Sequence, residues 1–334
     1  MITIRETAVA NGSLKVIRIA NRSGAGVEIL NLGATVQSLF VPDRDGRLCN
    51  VVLGYDTIEG YLDNRYYYGA TIGRFANRIS NSSFLLDGKR YRLQSNDSPN
   101  SNHGGVDGFH ARFFDITEIA ERENLISLQY LSPDGEAGYP GQVDLQVRYR
   151  WTEDNALEIR HVARAYDHPT PVNITNHSYF NLSGDHTSDA ARATLSILGS
   201  SMLEATGDFI PTGRILDIRE TAFDFTTPRR ISDRIGHVCE RTLKGYNDYY
   251  LTGGKPTTPA AELYDERSGI AMQLYTDYPG VLLYTGDYLP IPYSGVCLEA
   301  QLHVDAPNRP EFPTAILCPG TIYDHTATYR FTVR

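Results

Sequence analysis

The sequence predicts an all-β protein, and three observations carry that expectation. Several stretches alternate apolar and polar residues with a period of two, the signature of a strand with one buried face. The composition includes 22 tyrosines, 29 glycines and 17 prolines, which suits pleated surfaces joined by many turns. Helical signals are few and short.

Taken along the chain, Asp56-Thr57-Ile58-Glu59-Gly60-Tyr61-Leu62 has the length of one or two helical turns, with Asp56 as the expected cap. Phe84 to Leu93 reads as a hairpin, with Asp87-Gly88 at its bend. Val143, Leu145, Val147, Tyr149 and Trp151 fall on one face of an extended segment, and Asp144, Gln146, Arg148 and Arg150 on the other. Leu157, Ile159 and Ala163 continue the pattern after a turn at Glu153-Asp154-Asn155. Pro171-Val172-Asn173-Ile174 is extended, and Ser183-Gly184-Asp185 punctuates like a turn. Met272 to Tyr275 and Val281 to Tyr284, joined through Pro279-Gly280, read as another strand pair. Thr328 to Val333 closes the chain as a strand. Turn signals are spread evenly, with no fixed repeat and no linker, so one β domain over residues 1–334 is expected.

Bulk properties narrow the function. A hydrophobic content of 41% supports a sizeable core. The formal charge is −9 with no basic block, which argues against nucleic acid and against an anionic membrane surface. A small uncharged or cationic molecule is the easier partner. Cys49, Cys239, Cys297 and Cys318 are scattered and form no disulfide framework, so a reducing, cytoplasmic setting is expected. The N-terminus has no basic start followed by an apolar run, and no stretch is apolar enough to span a bilayer. Monomer and homodimer are both compatible with the sequence.

Four clusters carry candidate chemistry. Asn173 to Gly184 places His177 among hydrogen-bonding side chains near a strand end, and histidine exchanges protons near neutrality. Gly73-Arg74-Phe75-Ala76-Asn77-Arg78-Ile79 offers two planar guanidinium groups and an amide, suited to holding hydroxyls or carboxylates. Asn100 to Phe109 contains His103-Gly104-Gly105, where glycines let a backbone approach a ligand closely. A His-Gly-Gly oxyanion loop would need a G-x-S-x-G nucleophile, and the chain has none. In Cys297 to Asp305, Glu299 and Gln301 share a strand face with Cys297. An acid beside a buried cysteine is desolvated, which raises its pKa and makes it a better base near neutrality. His303 and Asp305 lack a third ligand at a sensible spacing, so no metal site is expected.

The order and wording of these clusters resemble the aldose 1-epimerase (galactose mutarotase) family. The resemblance runs from about Gly33 to the end of the chain. It includes Val52-Leu53-Gly54-Tyr55-Asp56, Gly73 to Ile79, His103-Gly104-Gly105 and Gly138-Tyr139-Pro140-Gly141. It continues through Thr175 to Leu182, Ile210-Pro211-Thr212-Gly213, Phe223-Asp224-Phe225, Tyr284-Thr285-Gly286 and Leu298-Glu299-Ala300-Gln301. The implied fold is one large antiparallel β-supersandwich with a cleft on a concave face. The implied reaction interconverts the α and β anomers of a free aldose without metal or organic cofactor. By resemblance, Glu299 is the base at the C1 hydroxyl and His177 the acid at the ring oxygen. His103 donates to the ring oxygen or a neighbouring hydroxyl, Asn77 and Arg78 hold further hydroxyls, and Ser178 and Tyr179 lie beside the acid. Gln301 belongs to the same strand motif as the base.

The chain departs from the family pattern at positions where the resemblance implies sugar contacts, and not at the acid and base. The family's sugar-binding aspartate position is Asn247, with Asp248 next to it. Tyr278 stands where the family often has glutamine, Phe114 where a tryptophan is expected, and Asn102 where a leucine precedes the histidine. Two other functions compete with the mutarotase: a non-catalytic sugar-binding or regulatory protein on the same fold, and a hexose-phosphate 1-epimerase. The first would fit loss of His177 or Glu299, and the second would want a denser arginine cluster.

Overall fold

The computed structural model describes residues 1–9, 12–238 and 245–334. Cys239 lies outside these residues. Most of the secondary structure is strand, assembled into three larger sheets of five, nine and six strands plus several two-stranded pairs. All pairings between named strands are antiparallel. The one α-helix among the described residues is Ser232–Val238.

The nine-stranded sheet is built from the clearest alternating segments. Val143–Trp151 pairs with Ala156–Ala165, which pairs in turn with Tyr323–Val333. Val143, Leu145, Val147, Tyr149 and Trp151 are fully buried, so the period-two face reads correctly. The closing strand starts at Tyr323, five residues earlier than the sequence suggests. The hairpin at Ser83–Leu86 and Lys89–Arg92 forms as expected, and both Asp87 and Gly88 adopt positive φ at its bend.

Two expectations need correction. Ile58–Asp63 is a 3-10 helix preceded by Thr57, and no side chain caps it, so Asp56 is not its cap. Ile270–Thr276 and Gly280–Tyr284 do not pair with each other. The first belongs to the nine-stranded sheet and the second to the six-stranded sheet. Pro279-Gly280 therefore moves the chain from one sheet to the other instead of closing a hairpin. Local alternation cannot distinguish these outcomes, because both partners are apolar strands.

The six-stranded sheet carries the site. Its order is Tyr179–Phe180, Val296–Gln301, Gly280–Tyr284, Asn247–Leu251, Ser201–Ala205 and Pro211–Asp217. Val281, Leu283, Val296, Leu298 and Ala300 belong to the same buried cluster as Tyr149, Ile159, Met272 and Tyr329 of the nine-stranded sheet. Alternation then turns Cys297, Glu299, Leu282 and Tyr284 to the other face.

Candidate active site

Register brings the two proposed proton carriers together. Tyr179 pairs with Cys297 and Phe180 with Val296. Two residues back along this antiparallel register, His177 falls opposite Glu299. Its Nε2 lies 3.6 Å from Glu299 Oε1. On the other side of the His177 strand segment, Thr175 and Asn176 pair with Ile72 and Thr71. The His177 N–H donates to Ala70 O, and its carbonyl accepts from Gly69 N–H. Gly69 has a φ of +63°, and a Cβ there would sit 1.9 Å from Val36 O, so only glycine lets this strand pass.

The two groups form the floor of a cavity of about 190 Å³. Of the residues singled out from sequence, Asn77, Arg78, Asn102, His103, His177, Tyr179, Asn247 and Glu299 line it. Asn77 and His103 come from separate loops that lock together. The His103 N–H donates to Asn77 O, and the Asn77 N–H donates to His103 Nδ1. A backbone N–H can only donate, so the His103 proton sits on Nε2 when the ring is neutral. Asn77, His103 and the cavity residue Tyr67 all have positive φ. Such backbone is costly for non-glycine residues and clusters at functional sites. Gly104 also has positive φ, and a Cβ there would lie 2.0 Å from Gly73 O. The close approach that its glycine permits is thus to the Gly73 backbone, which holds the His103 loop in place.

The two arginines of the first motif have different fates. Arg74 is buried and donates to the carbonyls of Pro133, Pro140 and Gly141, tying loops together. Arg78 lines the cavity, with its Nε donating to Asp97 Oδ2 at 2.7 Å.

Burial sets the electrostatics. Glu299 is 1% exposed, and neither carboxyl oxygen has a hydrogen-bond partner. Desolvation raises its pKa from 4.5 to about 8, with the Arg78 charge opposing. Burial lowers His177 to about 4, against a backbone hydrogen bond that raises it. His103 is pushed well below 6.5, first by burial and then by the nearby His177, Arg78 and His110. Burial thus favours the protonated Glu299 carboxyl and the uncharged His177 and His103 rings over their charged forms. The His177 ring packs against Tyr67 and Tyr179, with centroids 5.9 and 4.9 Å away, and meets His103 edge-on.

His177, Cys297 and Glu299 are also the one group of three potential metal ligands found among the described residues. The Cys297 Sγ faces His177 Nδ1 at 3.6 Å, while Glu299 faces Nε2. One ion takes only one ring nitrogen, so the thiol and carboxylate address opposite sides of the imidazole. Burial and the Glu299 charge also push the Cys297 thiol well above 9, away from the thiolate a metal needs. The donor set fits a metal poorly.

Four sequence-derived sugar contacts do not line the cavity. Ser178 follows His177 on extended chain and points the other way, and its hydroxyl donates to Asn176 Oδ1 at 2.6 Å. Asp248 is turned away from the cavity by the same alternation, and its Oδ2 accepts from the Asn247 N–H. A shift that brings Asp248 in place of Asn247 is thus not what the structure holds. Tyr278 is fully buried among core side chains, and its hydroxyl donates to Ile174 O at 2.8 Å. It sits before the sheet change at Pro279-Gly280, on the wrong side of that turn for the cavity. Gln301 shares the Glu299 face but lies one two-residue step further, fully buried, opposite Gly280.

The sequence reading missed Arg65, Tyr66, Tyr67, Leu282, Tyr284, Tyr288 and Leu289, which complete the lining. The run Tyr66-Tyr67-Tyr68 was a usable signal, since consecutive aromatics before a glycine suit a sugar-facing loop. Leu282 and Tyr284 were hidden by the mistaken strand pairing.

Comparison with known proteins agrees with this geometry. The family model described as aldose 1-epimerase matches residues 15–330. The chain belongs to the aldose 1-epimerase family. It is 39% identical over 319 residues to the galactose mutarotase of Bos taurus, covering 92% of this chain and 91% of the bovine protein. It is 34% identical to the aldose 1-epimerase of Escherichia coli K12, covering 95% of each. The solved structure of an aldose epimerase homologue from C. elegans superposes with a TM-score of 0.89 at 31% identity, covering 96% of this chain and 99% of that one. The all-β supersandwich expected for an aldose 1-epimerase family member is the fold this chain has.

Proposed function

We propose that this chain is a cofactor-independent aldose 1-epimerase that interconverts the anomers of a free aldose, folded as one domain. The observation that carries this is Glu299: a buried carboxyl with no hydrogen-bond partner in the protein, facing an imidazole at the floor of an open cavity. Buried polar groups are almost always satisfied, and an exception at a cavity floor marks a place kept for a ligand.

Ring opening moves two protons. The Glu299 carboxylate takes the proton of the C1 hydroxyl as the C1–O5 bond breaks. His177 gives its proton to O5, which becomes a hydroxyl. The aldehyde then rotates about the C1–C2 bond. Closure on the other face returns one proton from Glu299 to the C1 oxygen and one from the new hydroxyl to His177. The pair carries one proton in excess of the fully deprotonated state throughout. His103, fixed as the Nε2–H tautomer, donates to a sugar oxygen, and Asn77, Arg78 and Asn247 address other hydroxyls. Tyr67 and Tyr179 keep the His177 ring in plane. Ser178, Asp248, Tyr278 and Gln301 have no direct role in this scheme.

Polarimetry of freshly dissolved single anomers, across a panel of aldoses, tests the function. The wild type speeds equilibration of at least one free aldose, and His177→Asn and Glu299→Gln each lose most of that activity while folded. A folded His177→Asn variant with near-full activity would show the assignment to be wrong.

A further inference from the structure

The cavity floor is a grid fixed by strand register. His177, Glu299 and Leu282 form one row across three neighbouring strand segments. His177 faces Glu299, and Leu282 is the direct cross-strand partner of Glu299 on the other side. Directly paired residues point to the same face, and all three side chains line the cavity. Asn247 lies one strand further and opposite Tyr284, out of this row. Adjacent strands are roughly 4.8 Å apart. The first side chain beyond Glu299, on the side away from His177, is therefore hydrocarbon.

This row has the order of the reacting atoms. A pyranose runs O5, C1, C2 around its ring. With O5 at His177 and the C1 hydroxyl at Glu299, as proposed above, C2 continues toward Leu282. The direction is the same whether the ring lies flat on the floor or stands on its O5–C1 edge. In both poses C2 is the neighbour of C1 on the side away from O5.

We propose that Leu282 is a specificity-determining residue that forms the wall against C2, and that the site accepts 2-deoxyaldoses as readily as the parent sugars. Leu282 offers a C2 hydroxyl no hydrogen bond, so removing that hydroxyl leaves no unpaired group on the floor. A site built to bind a hydroxyl rejects the analogue that lacks it by orders of magnitude, whereas an apolar wall does not.

The test compares kcat/KM for D-galactose and 2-deoxy-D-galactose by polarimetry, with the uncatalysed rate in the same buffer subtracted. The expected wild-type ratio, 2-deoxy over parent, is about one-third or higher, because no lost floor contact penalises the deoxy sugar. A ratio below that overturns the proposal. Leu282→Gln supplies an amide at the same place, and the ratio should shift about fivefold toward D-galactose, the worth of one net hydrogen bond. A folded Leu282→Gln enzyme with an unchanged ratio also overturns it. If that variant does not fold, the wild-type ratio decides alone. The proposal rests on the epimerase assignment, and the two fail differently. If no aldose of the panel is accelerated, the assignment fails and takes this proposal with it; if another aldose is turned over in place of D-galactose, that sugar and its 2-deoxy analogue give the ratio. If D-galactose is turned over and 2-deoxy-D-galactose is not, only the role of Leu282 fails.

Discussion

Replacing Glu299 by glutamine should stabilise the protein while disabling it, and the gain should depend on pH in a specific way. Burial raises the carboxyl from 4.5 to about 8. Between these values the folded protein holds a proton that the unfolded chain has released. Folding must then take up a proton, so stability falls as pH rises from about 4.5 and levels off above about 8. Each pKa unit is worth about 1.4 kcal/mol, so at pH 7 this group costs folding about 3 kcal/mol. Glutamine has the shape of the protonated acid and carries no such cost. Glu299→Gln should therefore match the wild type in stability near pH 4 and exceed it by about 3 kcal/mol at pH 7. Urea midpoints of both proteins across that range read the difference directly. A stability difference that does not change between pH 4.5 and 8 would refute the reasoning, because the carboxyl would then not be held protonated by burial. Turnover of the same variant should fall by ~10²–10⁴, the usual worth of a general base.

The pH dependence of kcat/KM should be a broad plateau bounded by the free-enzyme groups, near 4 for His177 and near 8 for Glu299. Below the lower limit the pair holds two protons and lacks an acceptor, and above the upper limit it holds none and lacks a donor; a single limb near 6.5 would contradict this. Asn247→Asp should lower the KM for D-galactose and change kcat less, because a charged acceptor binds hydroxyls more strongly than an amide; Asp248→Asn, turned from the cavity, should leave KM unchanged. Dialysis against a chelator should leave polarimetric activity intact, and loss restored by one metal would show that His177 and Cys297 hold an ion after all.

Much of this site was legible because strand alternation is an arithmetic property. Cys297 and Glu299 were placed on one face from spacing alone, and desolvation of the acid follows from that placement. His177 and Tyr179 obey the same rule, which also excludes Ser178 and Asp248. What was not legible is which strands are neighbours. Met272 to Tyr275 and Val281 to Tyr284 look like a hairpin, yet they belong to different sheets. That single error hid Leu282. Tyr278 came from the family pattern instead, and it spends its hydroxyl on Ile174 O. Positive φ at Tyr67, Asn77 and His103 was equally invisible, since it is imposed by loops that brace one another.

The burial that makes Glu299 and His177 unlike ordinary acid and base also gives their proton a preferred place. Burial favours the proton on Glu299 and the neutral form of His177. That is also the protonation state of the pair once a sugar has opened, when Glu299 has taken the C1 proton and His177 has given one to O5. With the closed sugar, catalysis instead needs a carboxylate and an imidazolium, two charges that the cavity does not solvate. Ring opening discharges both. Desolvation thus sets the charged pair above its neutral form, and ring opening returns the pair to that neutral form. Closure on either face restores the same charged pair at the same cost, so the environment does not bias one anomer over the other. The Leu282 side chain next to Glu299 therefore serves the chemistry as well as the fit, because it is one of the apolar groups that deny the carboxylate its solvent.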